Sequence, residues 1–180
     1  QVDIDDAVVA EKRVSVLKML KNWLFVYIGN FIGALLVACF AAYSGVLDGI
    51  DEATVSTAAA KANIGFGDGI MKGVLCNVLV CIGVWMAFAA DTAGGKILTV
   101  ILPITAFVLC GYEHSIANMY FIPAGLMQQA RLGIEAEGLN IIGFIKNLVP
   151  VTIGNIIGGS GIVGFGYWLA YLAGKEKSST

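Results

Sequence analysis

This sequence is short of the residues that keep a protein in water. Only 13% of its 180 positions are charged, one is histidine, three are proline, and no basic run occurs. With so little charge and a mean hydropathy of +0.82, a soluble domain would lack the polar surface to cover itself. The net charge of −2, without a basic cluster, excludes a nucleic-acid partner. Cys39, Cys76, Cys81 and Cys110 lie inside apolar runs and none has CxxC spacing. That pattern argues against a disulfide framework and a zinc site and leaves the cysteines as packing residues, so no metal or cofactor is expected.

What the chain has in abundance is long apolar runs, which define an all-α membrane protein. Residues 23–43 and 70–90 are each 21 residues long, close to the roughly 20 needed to cross about 30 Å of hydrocarbon. Residues 97–130 form a 34-residue stretch interrupted by Gly111-Tyr-Glu-His-Ser115. As one helix it would measure about 51 Å, too long for a single crossing, so it reads as a broken helix. Residues 140–174 are interrupted by Pro150 and several glycines, so that this span is kinked or crosses only with its later part. The polar residues 1–22 read as a short helix or linker, the 44–67 connection has room for a short helix, and 175–180 form a tail.

One segment occurs twice. Lys21–Gly33 (KNWLFVYIGNFIG) and Lys146–Gly158 (KNLVPVTIGNIIG) are offset by 125 positions and agree at 8 of 13. Among the shared residues are Gly29/Gly154, Asn30/Asn155 and Gly33/Gly158. The glycines form small-xxx-small pairs that let helices approach closely, and packing is the expected role of these positions; the asparagines could also bridge the halves by hydrogen bonds, and Asn155 is counted among the pore candidates. Lys12, Arg13, Lys18, Lys21, Lys96, Lys175 and Lys177 fall on one side of the bundle, and Lys61, Arg131 and Lys146 on the other. The positive-inside rule then makes the tail cytoplasmic and the two copies antiparallel, as in inverted-topology halves. The second copy follows two spans. Symmetry predicts about two further helices before the first copy, carried by a preceding part of the polypeptide or by a separate chain.

The break holds the lone histidine, His114, beside Glu113. An ionisable group at mid-membrane depth faces a polar cavity or a partner, which makes His114 the leading functional candidate. On a continuous helix Phe107, Gly111, His114 and Asn118 would share a pore-lining face, although spacing alone assigns Phe107 to core packing. Glu113 is expected to be structural, holding either backbone amides or an arginine-free polar network. Lys72, one turn into the second span, either snorkels to the headgroups or lines an anion vestibule. A hydrolase would need a nucleophile at His114, and the adjacent Ser115 points about 100 degrees away on a helix.

Three strings, KGVLCNVLVCIGVWMA from Lys72, GYEHSIANMYFIP from Gly111 and NLVPVTIGNIIGG from Asn147, closely resemble the formate/nitrite transporter family of anion channels, which includes hydrosulfide-conducting members. The resemblance implies a homopentamer with one pore per subunit in a bacterial-type inner membrane. Each subunit would have six helices in an aquaporin-like inverted repeat, with the four segments here as helices three to six. It implies His114 as the central pore histidine, Lys72 as the vestibule lysine, Asn118 as a polar residue near the pore and Phe107 as an apolar constriction. The expected cargo is a small monovalent anion of a weak acid. The family's second helix carries a loop threonine facing this histidine, and the chain has no matching segment. The competing expectation is an aquaporin-like channel for neutral solutes. Against it, the chain repeats Ile-Gly-Asn-x-Ile-Gly rather than an Asn-Pro-Ala box.

Overall fold

The computed structural model describes residues 15–171, which are helical with no strand. The helices are α1 (Val16–Tyr43), α2 (Asp51–Ala62), α3 (Phe66–Ala89), α4 (Ala93–Leu109), α5 (Ser115–Leu132) and α6 (Ile141–Ile156). A π-helical segment (Ile157–Gly164) then runs on from α6 into α7 (Phe165–Tyr171).

Each boundary has a local cause. Ser15, Thr92, His114 and Asn140 cap α1, α4, α5 and α6 by accepting hydrogen bonds from the amides of Lys18, Gly95, Ala117 and Gly143. α5 stops at Gly133, whose φ of 68° is the left-handed conformation that glycine tolerates. The alanine-rich α2 has Asp51 and Glu52 in its first turn and Lys61 in its last, each complementing the helix dipole.

Among the described residues, three helical stretches are long and apolar enough to cross a membrane: Val16–Tyr43, Phe66–Ala89 and Ile141–Tyr171. A fourth apolar helix, α4, is shorter. It meets α5 at a break over residues 110–114, so the chain is interrupted where the sequence predicts it. That break removes the continuous face proposed for Phe107, Gly111, His114 and Asn118. α1 starts at Val16, so the later part of the stretch read as a short helix or linker is helix, while residues 1–14 and the 175–180 tail lie outside the described residues. The last span starts at Ile141 and keeps its helical path through Pro150, its irregularity falling instead on the π segment.

The two repeat copies run in opposite directions. Tyr27 Oη and Thr152 Oγ1 are hydrogen-bonded at 2.8 Å, and the rings of Phe31 and Phe144 stack at 6.2 Å. Moving forward along α1 means moving backward along α6. Tyr27 and Thr152 are also 125 residues apart, the offset of the repeat, so equivalent positions touch each other. Such a contact lies on the pseudo-two-fold axis relating the halves.

Packing is closest between α3 and α6. A Cβ placed on Gly73 would meet Val151 O at 2.8 Å and Gly154 Cα at 3.1 Å, and Cβ atoms on Gly154 and Gly158 would run into the carbonyls of Ile70 and Val74. Glycine is required here because backbone meets backbone. The short α2 is held against α5 by Gly125 under Ala58 and by Gln128 donating to Asp51. Arg131 reaches the Ala42 carbonyl and Asp48, tying down the connection between α1 and α2.

Gly73→Leu should therefore drive α3 from α6 and lower the thermal midpoint in detergent by several degrees or abolish folding, as overpacking costs about 1–3 kcal/mol or more. Gly67→Leu, in open space, should leave the midpoint nearly unchanged. Equal midpoints would contradict this packing.

Candidate functional site

A helix broken inside a membrane leaves amides and carbonyls that water cannot satisfy. Backbone carbonyls take the amides of Cys110, Gly111 and Tyr112, and Asn155 answers the groups that flank the start of α5. Its Oδ1 accepts from Ser115 N at 2.9 Å, and its Nδ2 donates to Glu113 O at 3.0 Å and Gly73 O at 2.9 Å. One buried carboxamide thus joins both sides of the break to α3 and α6. Asn77 donates to the backbone carbonyl of Asn155 at 2.6 Å, just before the π segment begins. Glu113 N donates to Lys72 O at 3.4 Å, fixing the break to α3 a second time.

Behind the break lies a charged cluster. The Glu113 side chain is buried and accepts from Lys61 Nζ at 3.0 Å, from Asn118 Nδ2 at 2.6 Å and from Asn147 Nδ2 at 3.4 Å. Asn147 also donates to the Lys61 carbonyl at 2.9 Å, and the Lys61 ammonium lies 5.6 Å from the Phe121 ring centroid. The expected arginine-free network is present, with Lys61 as its cation.

His114 stands on the opposite side of Glu113's backbone and faces a cavity of about 720 Å³. The walls come from α1, α3, α6 and the start of α5. They include both members of the aligned pairs Trp23/Leu148, Leu24/Val149, Tyr27/Thr152 and Asn30/Asn155, so the cavity sits on the pseudo-two-fold axis. Most of the wall is apolar, and His114, Asn30, Asn77 and Asn155 supply polar points on it. The His114 Nδ1 accepts from Ala117 N at 3.3 Å, so a neutral ring carries its hydrogen on Nε2. Phe107 stacks on this ring, with centroids 5.9 Å apart.

The remaining sequence candidates are distributed differently from the expected stripe. Asn118 is fully buried and turned to Glu113 and Asn147, so it is absent from the cavity wall. The reason is the break, which rotates α5 away from the register of α4. Lys72 is exposed and off this wall, yet its carbonyl puts it level with the break rather than at the helix end. Gly154 and Gly158 meet α3 backbone, whereas Gly29 and Gly33 face open space. Sequence reasoning missed Lys61, Asn77 and Asn147. Of these, Asn147 had a readable signal, since it matches Asn22 in the repeat. The Ser115 contact that the structure gives is made by its amide, and it serves the break rather than a nucleophile's base.

An inverted repeat, a broken helix and an axial cavity are features of membrane transport proteins. The formate/nitrite transporter family model matches residues 7–169, and the chain belongs to that family. It is 37% identical over 179 residues to the formate channel FocA of Escherichia coli K12, covering 91% of this chain and 63% of that one. It is 40% identical over 166 residues to the uncharacterised transporter YrhG of Bacillus subtilis, covering 89% and 58%. Among solved structures, an FNT family ion channel superposes with a TM-score of 0.80 at 30% identity, covering 91% of this chain and 64% of that one. A pentameric formate channel with formate bound superposes with a TM-score of 0.79 at 33% identity, covering 89% and 69%. The chain thus spans about three-fifths of the length of these curated relatives.

The buried pair gives a direct prediction. Lys61→Met leaves the Glu113 carboxylate without its counter-charge and should cost about 3–5 kcal/mol, read as a large fall in the unfolding midpoint in detergent. The double variant Lys61→Met/Glu113→Gln should recover most of that loss. A single variant as stable as the unaltered protein would show that the pair is not buried.

Proposed function

We propose that this chain forms the histidine-bearing part of a channel for small monovalent anions of weak acids, with formate the leading cargo and nitrite and hydrosulfide in the same chemical class. The observation that carries the reading is the His114 ring on an otherwise largely apolar axial wall. A bare anion pays a large desolvation cost in such a passage. The imidazole Nε2–H offers a hydrogen bond to the anion's oxygen or sulfur. Protonation of Nδ1 gives up the bond from Ala117 N and makes an imidazolium; transfer of its Nε2 proton to the anion then yields the neutral acid and an imidazole with its hydrogen on Nδ1, and the acid crosses the apolar stretch beyond. Phe107, stacked on the ring, is proposed to form part of the constriction and to hold the imidazole plane. Lys72, exposed at the level of the break, is proposed to raise the local anion concentration.

Assembly as a homopentamer with a cytoplasmic C-terminus is part of the same proposal. A broad apolar exterior supports burial against lipid or other subunits: α4 exposes Ile97, Leu98, Ile101, Leu102, Val108 and Leu109. A second reading, an aquaporin-like path for neutral solutes, draws on the paired Asn30 and Asn155 of the wall. Water and formate fluxes measured side by side separate the two, the anion reading requiring saturable formate flux that exceeds leakage.

In proteoliposomes, His114→Asn should remove the acid-stimulated component of formate flux, a drop of about tenfold or more at the acid end of the profile. An unchanged pH profile would reject proton donation. Lys72→Ala should weaken uptake several-fold at low salt and little at about 0.5 M salt, where the field is screened. A loss independent of salt would assign Lys72 a packing role.

A further inference from the structure

The last span changes its winding between α6 and α7, and a side chain of α3 stands at the point of change. In an α-helix each carbonyl accepts from the amide four residues on, so the Asn155 carbonyl would belong to Gly159 N. Here Asn77 Nδ2 donates to that carbonyl at 2.6 Å. Its carboxamide lies against Gly159, where a Cβ would run into Asn77 Nδ2 and meet Cys81 Sγ at 3.2 Å. From Ile157 the chain runs as π-helix for 8 residues, ending where Phe165 N donates to Ser160 O. The shared motif does not produce this winding by itself. In α1 the same Ile-Gly-Asn-x-Ile-Gly string continues as α-helix to Tyr43, and there Gly29 and Gly33 have no helix seated on them.

A π turn bonds each carbonyl one residue further on than an α turn, so it takes up one extra residue. Everything beyond it is turned by about one residue, roughly 100 degrees, relative to a continuous α-helix. That turn puts Tyr167 and Tyr171 on Trp85 of α3, with ring centroids 4.4 and 5.8 Å apart, and leaves Gly166 beside open space. Wound as α-helix, the same chain would bring Gly166 and Ala170 to Trp85 instead.

We propose that Asn77 is a positioning residue whose carboxamide imposes the π register on the last span. By holding the Asn155 carbonyl it fixes the backbone of the residue whose side chain bonds to Ser115 N and Glu113 O at the start of α5. Through the extra residue of the π segment it seats α7 on the C-terminal end of α3. One side chain on the cavity wall thereby sets both ends of the contact between α3 and the last span. The inference concerns the register of a helix and stands whether or not the cargo is formate.

The test reads the register directly, in the 180-residue chain purified in mild detergent with the exposed Cys39 and Cys110 replaced by alanine. Cysteines are placed at 85 and 167 or at 85 and 166, a short bifunctional thiol reagent is added, and peptide mapping identifies the linked residues. With Asn77 present, 85 should link to 167 in preference to 166 by about fivefold or more, because the two positions point roughly 100 degrees apart. Asn77→Leu keeps the size of the side chain and removes the donor, and it should reverse that preference. Deleting Gly161 from the Asn77→Leu chain removes the residue that the π segment takes up, and the link should return to the cysteine that replaces Tyr167. Gly159→Ala should act like Asn77→Leu, since its Cβ displaces the carboxamide. Gly161→Ala raises helix propensity equally without touching Asn77 and should leave the preference for 167 intact. A preference for 167 that survives Asn77→Leu, a reversal in Gly161→Ala, or no return of the 167 link on deletion would overturn the proposal. Should Asn77→Leu fail to fold, the deletion carries the test: a doubly altered chain that folds and links 85 to 167 supports the proposal, and one that does not overturns it.

Discussion

The structure depends on one carboxamide. A membrane helix that stops halfway leaves backbone groups facing hydrocarbon, each costing several kcal/mol if unsatisfied. Asn155 supplies an acceptor to Ser115 N and a donor to Glu113 O from the same side chain, and it anchors both to Gly73 O. Without it the break would have to close into helix or let water in. With it, the chain can hold a non-helical stretch at depth, and that stretch presents an imidazole to the cavity.

From this staple the other features follow in order. Asn155 reaches α3 only because Gly73, Gly154 and Gly158 allow the two backbones to touch. The break turns α5 so that Glu113 and Asn118 face away from the cavity, where Lys61 and Asn147 complete a buried polar cluster. That cluster orients the residues next to His114 without entering the passage. Charge is thus kept behind the wall and a neutral donor on it, as the proposed passage of a weak acid in charged and uncharged forms requires.

Much of this was legible in the chain itself. The 125-residue repeat together with the placement of the basic residues predicted antiparallel halves, and the Tyr27–Thr152 and Phe31–Phe144 contacts bear it out. The excess length of residues 97–130 predicted the break, because no helix of that length fits the hydrocarbon. What stayed hidden depended on the angle at the break. A continuous helix puts Asn118 beside His114, and only the non-helical turn between α4 and α5 separates their directions. Lys61 was equally unreadable: it lies in an alanine-rich helix 52 residues from Glu113, and no periodicity links the two. The π segment was legible only as a Pro150 and glycine interruption of the last span, since the Asn77 bond that accompanies it comes from another helix.

The central claim is that the broken helix presents position 114 to an aqueous passage and hides its neighbours. Single cysteines at His114 and Met119, in a background lacking exposed Cys39 and Cys110, test it most directly through their rates of reaction with a small, charged, water-borne thiol reagent. The cysteine at 114 should react readily and be protected by millimolar formate, while that at the fully buried position 119 should stay inert. An inert position 114, or a position 119 that reacts as fast, would contradict the account.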